Sequence, residues 1–254
     1  MPFALEGFLM ILGRLSGLFI SAPVFNSRQV PGTVKVLIIV ILSATMAYFV
    51  PVSFLVSLDN PGIIIAALVV EIFIGFTIGF VAYIAFAAIQ LAGQLIDKQM
   101  GFMIVNVVDP QSGTSIPLMG NFKYIIALLL YLGMNGHHYL LQAIVQSYQF
   151  IPVMGLNLGA NFYNLIIETT VYMFVVAIKI AAPVVMAILI TDVSMGFIAR
   201  TVPQMNVFIV GLPLKIFMGL VILLMVLPVY IWFMGILFAR FFEYLDRIIF
   251  SMGL

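Results

Sequence analysis

Long uninterrupted apolar runs dominate the chain, and its polar residues gather between them. No Asp, Glu, Lys or Arg occurs from Val36 to Leu58, from Ile72 to Ile96 or from Ile216 to Ala239. A helix crossing a ~30 Å hydrocarbon layer needs about 20 such residues, so each run is long enough. Tyr124 to Ile167 is also uncharged, but Pro152, Gly155, Asn157, Gly159 and Asn161 interrupt it. The pattern predicts six apolar helices, over about 5–22, 35–57, 62–96, 122–148, 163–191 and 211–240. Strands in a membrane barrel alternate over about ten residues, which these runs do not. The expected fold class is all-α: a polytopic helical membrane protein with about six long apolar helices, long helical hairpins and a re-entrant or pore-lining loop.

That loop is the connection over about 97–121. It is too apolar for a plain aqueous loop and too broken for a span, with turns available at Gly101, Pro110, Gly113 and Pro117. Irregular backbone at membrane depth must be covered by protein or line a cavity; a loop lying on the lipid surface is the other reading. Within it Phe102, Met103, Ile104, Val105, Val107 and Val108 surround a single amide, Asn106. Such a set suits a channel constriction, because apolar side chains close a narrow pore by excluding water and break no strong polar bonds when they part.

The third predicted helix carries a stripe of small and polar residues. Glu71, Gly75 and Gly79 follow at steps of four, and Gln90, Gly93 and Asp97 continue on the same side. Small residues four apart let helix backbones approach closely. The stripe predicts a subunit interface or a lumen-facing side, with helix packing inside one chain as the equal alternative.

Composition narrows the classes. The 254 residues are 65% hydrophobic and 7% charged, against about 25% charged in a soluble domain. An ordinary soluble enzyme, a disordered chain and a coiled coil are excluded. With 10 basic and 9 acidic residues, no broad basic surface for nucleic acid is available. The chain has no Cys, which removes disulfides, thiolate zinc sites and iron–sulfur clusters. Basic residues cluster in the odd connections: Arg28 and Lys35, Lys98 and Lys123, Arg200 and Lys215. The positive-inside rule then places those connections in the cytoplasm. Asp192, Arg200, Gln204 and Lys215, around the last turn, form an expected cytoplasmic rim, or ordinary interfacial charge.

Charges at membrane depth are Glu6, Arg14, Glu71, Glu168, Lys179 and Asp192. Each is costly in lipid and calls for a reason. A proton or ion relay would gather carboxylates at facing depths, whereas these are spread over four segments. Structural pairing, or contact with partner subunits, is the reading preferred. His137 and His138 are adjacent, so they point about 100° apart on a helix and cannot form an i, i+4 metal pair. No phosphate-binding glycine loop and no nucleophile–base arrangement is visible. No catalytic, cofactor-binding or metal-binding residue is assigned, and the chain is not expected to be an enzyme.

The motifs themselves resemble a known family. RLSGLFISAP from Arg14 to Pro23, VPGTVK from Val30 to Lys35, GQLIDKQMGF from Gly93 to Phe102, VDP from Val108 to Pro110 and NGHH from Asn135 to His138 are similar to the FliR family of flagellar export-gate subunits. The most specific match is Ala182–Pro183 followed by GFIARTVPQMNVFIVGLPLK from Gly196 to Lys215. The resemblance implies a subunit of the flagellar type III protein export gate. With FliP and FliQ it would form the closed channel that passes unfolded flagellar proteins, with FlhB associated. It implies residence in the bacterial inner membrane at the flagellar basal body, and contact with membrane lipid. It also implies a FliP-like part over 1–160, carrying the pore-lining loop, and a FliQ-like two-helix hairpin over 161–254. In the family the stretch before Asp109–Pro110 projects into the lumen. Where some members have Phe, this chain has Ile104 and Val107. The homologous injectisome subunit is one alternative. An ion-coupled secondary transporter is another, though no inverted repeat with paired broken helices is visible.

Overall fold

The computed structural model describes residues 5–27, 29–55, 60–102, 117–202, 204 and 206–253. They form seven helices: α1 (Leu5–Ser21), α2 (Gly32–Phe49), α3 (Pro61–Met100), α4 (Leu118–Gly133), α5 (Gly136–Phe150), α6 (Ala160–Thr201) and α7 (Val207–Gly253). No strand pairing is present among the described residues beyond one isolated bridge, Phe54 to Val153. The protein is all-α and polytopic. α2, α3, α6 and α7 are each long and apolar enough to cross a membrane, and α4 with α5 makes a fifth such element if the pair is counted as one.

Local chemistry sets the helix ends. Asn60 caps α3: its Oδ1 accepts from the Gly62 amide at 3.0 Å, and Pro61 takes the first helical position, where a missing N–H does no harm. α3 stops at Gly101, whose φ of 85° suits glycine alone without strain. The Phe102 amide then returns to the Asp97 carbonyl, and Gly101 to Lys98, the paired bonds of a Schellman terminus. α7 begins at Asn206, which accepts from the Ile209 amide through both its carbonyl and its side chain.

The predicted helices are found with shifted ends: α2 stops at Phe49 rather than near 57, and α6 and α7 run on to Thr201 and Gly253. The segment expected over 122–148 is two helices, broken at Met134 and Asn135. Asn135 is left-handed at φ 58°, a conformation Asn tolerates better than most residues. The Tyr131 hydroxyl donates to the Gly136 carbonyl at 2.7 Å, and the Tyr131 ring occupies the space a Gly136 side chain would need. The first segment forms the expected helix and is more than half covered by the chain itself. α1 has 17 residues and buries ten of them, including Met10, Ile11, Leu15 and Leu18.

The helices pack into two compact units. The first comprises residues 1–85, 131–171 and 237–254, and the second residues 86–130 and 172–236. This division follows packing, and is separate from the two-part resemblance of the sequence. In the first unit α1 is the central element. The chain end of α7 is anchored there: the Asn157 amide donates to the Met252 carbonyl at 2.8 Å, and Gly253 lies against the Phe150 backbone. In the second unit Lys123 is buried over the Tyr230 ring, 4.8 Å from its centroid, and the Tyr230 hydroxyl donates to the Lys123 carbonyl.

Candidate functional site

The first unit is held by a buried charged cluster. Arg14 on α1 and Glu71 on α3 are both fully buried, with Nε to Oε2 at 2.6 Å and Nη2 to Oε1 at 3.0 Å. This is the parallel two-bond geometry that makes Arg–carboxylate pairs strong. Arg14 Nη1 also donates to Ser147 Oγ at 2.7 Å and Nη2 to the Ile151 carbonyl at 3.1 Å. The Tyr148 hydroxyl donates to Glu71 Oε2 at 3.1 Å, and the guanidinium lies over the Tyr148 ring at 3.7 Å. The guanidinium bonds reach different parts of the fold, so one side chain ties α1, α3 and the end of α5 together.

Small residues make this approach possible. Gly75 lies on the Arg14 backbone, Gly79 on Ser21, Ala22 and Leu18, and Gly17 on the backbone of Ile72 to Phe76. The crossing is therefore reciprocal, with Gly17 and Ser21 on α1 meeting Gly75 and Gly79 on α3, and Gly13 lying against Leu68 and Glu71. Sequence reasoning found the α3 half and missed the α1 half. Its signal was available: three small residues at successive steps of four.

In the second unit Asp97 ties the two ends of the long loop. Its carboxylate accepts from the Met119 amide at 3.0 Å and the Gly120 amide at 3.2 Å, which are free donors in the first turn of α4. Gly93 packs against the Gly120 backbone. Of the expected interface stripe, Glu71, Gly75, Gly79, Gly93 and Asp97 are thus engaged inside the chain, while Gln90 is exposed. Of the expected constriction, Phe102 is partly buried just beyond the α3 terminus. Met103, Ile104, Val105, Asn106, Val107 and Val108 lie outside the described residues.

At the expected rim, Lys215 Nζ and Asp192 Oδ1 pair at 2.5 Å, with side chains 29% and 32% exposed. Arg200 and Gln204 are exposed and are not part of that pair; Arg200 stands about 12 Å further along α6. The His137 and His138 rings are in contact, 4.1 Å between centroids. Among the described residues no group of three His, Cys, Asp or Glu is placed to hold a metal ion.

Long apolar helices, a core locked by a buried ion pair and a loop stem bound to a helix start define an all-α polytopic membrane protein. Comparison with known proteins supplies the family. Residues 5–241 match the family described as bacterial export proteins, family 1. The flagellar biosynthetic protein FliR of Bacillus subtilis is 38% identical over 231 residues, covering 87% of this chain and 86% of that protein. FliR of Escherichia coli is 30% identical over 244 residues, 95% of this chain and 92% of that protein. FliR of Aquifex aeolicus is 28% identical over 240 residues, 93% and 91%. The chain belongs to the FliR family of bacterial export proteins, and is a membrane subunit of the flagellar export apparatus.

Proposed function

We propose that the chain is a wall subunit of the flagellar export channel in the bacterial inner membrane. It assembles there with FliP-, FliQ- and FlhB-family proteins, and unfolded flagellar proteins pass through. The apolar residues 102–108 form its constriction, and Asp192, Arg200, Gln204 and Lys215 stand at its cytoplasmic mouth. The chain does no chemistry of its own in this reading; it holds a passage closed.

The observation that carries this reading is uncovered apolar surface on a chain of an export family. α2 buries one side chain of its eighteen residues, Ser43. On α6 and α7, Phe174, Ile178, Ile190, Phe197, Leu224, Met225 and Trp232 are all more than half exposed. Surface of this extent needs lipid or protein against it. The Asp97 contacts support the placement of the constriction, since they fix the points where residues 103–116 leave α3 and rejoin α4. The relatives are flagellar proteins, which favours the flagellar over the injectisome branch.

Affinity purification of the tagged chain from membranes in mild detergent tests the reading. Stable recovery of FliP- and FliQ-like chains in one complex is the expected result. A well-behaved monomer that exchanges freely with its lipid surroundings would overturn it.

A further inference from the structure

α6 differs from the other long helices in where its charges fall. Residues 72–96 of α3 and 216–239 of α7 give each a full uncharged span. α6 has none: every stretch of twenty residues within it contains Glu168, Lys179 or Asp192. Glu168 accepts from the Tyr244 hydroxyl at 3.1 Å, and Asp192 is paired with Lys215. Lys179 is exposed and forms no ion pair or hydrogen bond through its side chain among the described residues. Its neighbours on the same face, Val175, Pro183 and Met186, are exposed and apolar. It lies about 28 Å from the start of α6 and about 33 Å from its end, and no charge falls among residues 169–178 or 180–191 on either side of it.

A second polar demand sits on the same turn. Pro183 has no N–H, and in a helix its missing donor is the one that would reach the carbonyl four residues earlier. That carbonyl belongs to Lys179. One turn of an apolar face thus presents an unpaired ammonium and an acceptor without its helical donor. A charge against lipid tails is costly, so they are a poor occupant. What fits the ammonium is a carboxylate offered from an apolar helix, which supplies the opposite charge and several acceptor positions; the Lys179 carbonyl, itself an acceptor, is not served by it.

We propose that Lys179 is a docking residue between subunits, paired with an Asp or Glu on a helix of a neighbouring chain of the export gate. This rests on the proposed assembly with FliP- and FliQ-family chains. The pair is a polar point on an otherwise apolar surface, which fixes the register of the partner helix.

Dicyclohexylcarbodiimide, a membrane-permeant zero-length cross-linker, joins an amine to a carboxylate only where the two touch. The complex purified from membranes is treated under conditions that link Lys215 to Asp192, the internal reference, and digested for mass spectrometry. The expected result is a peptide joining Lys179 to an acidic residue of another chain. Lys179→Met removes that peptide and lowers the co-purified partner several-fold, and Lys179→Glu lowers it further. A chain that purifies without partners overturns the gate reading and the pair together. A partnered chain whose Lys179 stays unlinked while Lys215 links overturns the pair alone.

Discussion

Removing Glu71 isolates the charge that organises the first packing unit. In Glu71→Leu the Arg14 guanidinium keeps Ser147 and the Ile151 carbonyl but loses both carboxylate contacts, at 2.6 and 3.0 Å. An uncompensated buried charge of this kind costs about 3–5 kcal/mol, a large share of the roughly 5–15 kcal/mol that holds a typical fold. Arg14→Met leaves the carboxylate with only the Tyr148 hydroxyl and costs a similar amount, about 3–5 kcal/mol. If the two losses were independent, the double variant would lose about 6–10 kcal/mol. Its cluster contains no buried charge, however. Its remaining penalty is the Ile151 carbonyl and the Tyr148 hydroxyl without partners, about 1–3 kcal/mol each. Ser147 is unaffected, because its hydroxyl still donates to the Ile144 carbonyl at 2.6 Å. The double variant is therefore more stable than the sum of the singles by about 4 kcal/mol. Titration of the purified protein with sodium dodecyl sulfate, followed by far-ultraviolet circular dichroism, measures all four corners of the cycle. Additivity within about 0.5 kcal/mol would show that the two side chains are not coupled, and that their pairing does not organise the first unit.

Other consequences follow from the same geometry. Gly75→Ala drives a methyl group into the Arg14 backbone and is expected to lose about 1–3 kcal/mol or more. Gly235→Ala meets nothing within 4 Å and is expected to gain up to about 1 kcal/mol; equal effects in the same titration would refute the close crossing of α1 and α3. Replacing Ile104 and Val107 together by Ser is expected to raise the ion conductance of the purified complex in planar bilayers, and Asp97→Ala to do so more weakly. If both variants stay as closed as the parent, the loop is not the seal. Lys215→Glu is expected to reduce flagellar secretion with the complex intact, and the swap Lys215→Glu with Asp192→Lys to restore most of it. The pair is partly exposed, so it contributes no more than about 1 kcal/mol to stability; failure of the swap to rescue would point to a role for Lys215 outside this pair.

The sequence alone determined the class of protein and most of its elements. Apolar runs of twenty residues or more report helices in any context, because a backbone away from water must satisfy its own hydrogen bonds. The start of α3 was readable within a residue, at the beginning of its apolar run; its end was not, because the helix was expected to stop near Ile96 and instead continues through the polar Asp97–Lys98–Gln99 to Met100. The motifs from Gly196 to Lys215 likewise carried the family without a structure. What needed the tertiary structure was every pairing across distance. Arg14 and Glu71 were both conspicuous as charges at depth, but 57 positions separate them, and nothing in hydropathy says which charges meet. Glu71, Gly75 and Gly79 offered an interface stripe equally suited to a neighbour or to the same chain. The complementary spacing on α1 engages it from within, because a backbone-to-backbone approach needs small residues on both sides and α1 brings Gly13 and Gly17 to that crossing. The break at Asn135 was hidden for a related reason. Hydropathy runs through it unchanged, and the Tyr131 hydroxyl, folded back onto Gly136, holds the left-handed residue in place. Periodicity and local propensity are properties of neighbours in the chain; burial and charge pairing are properties of neighbours in space, and the fold alone decides which residues become those.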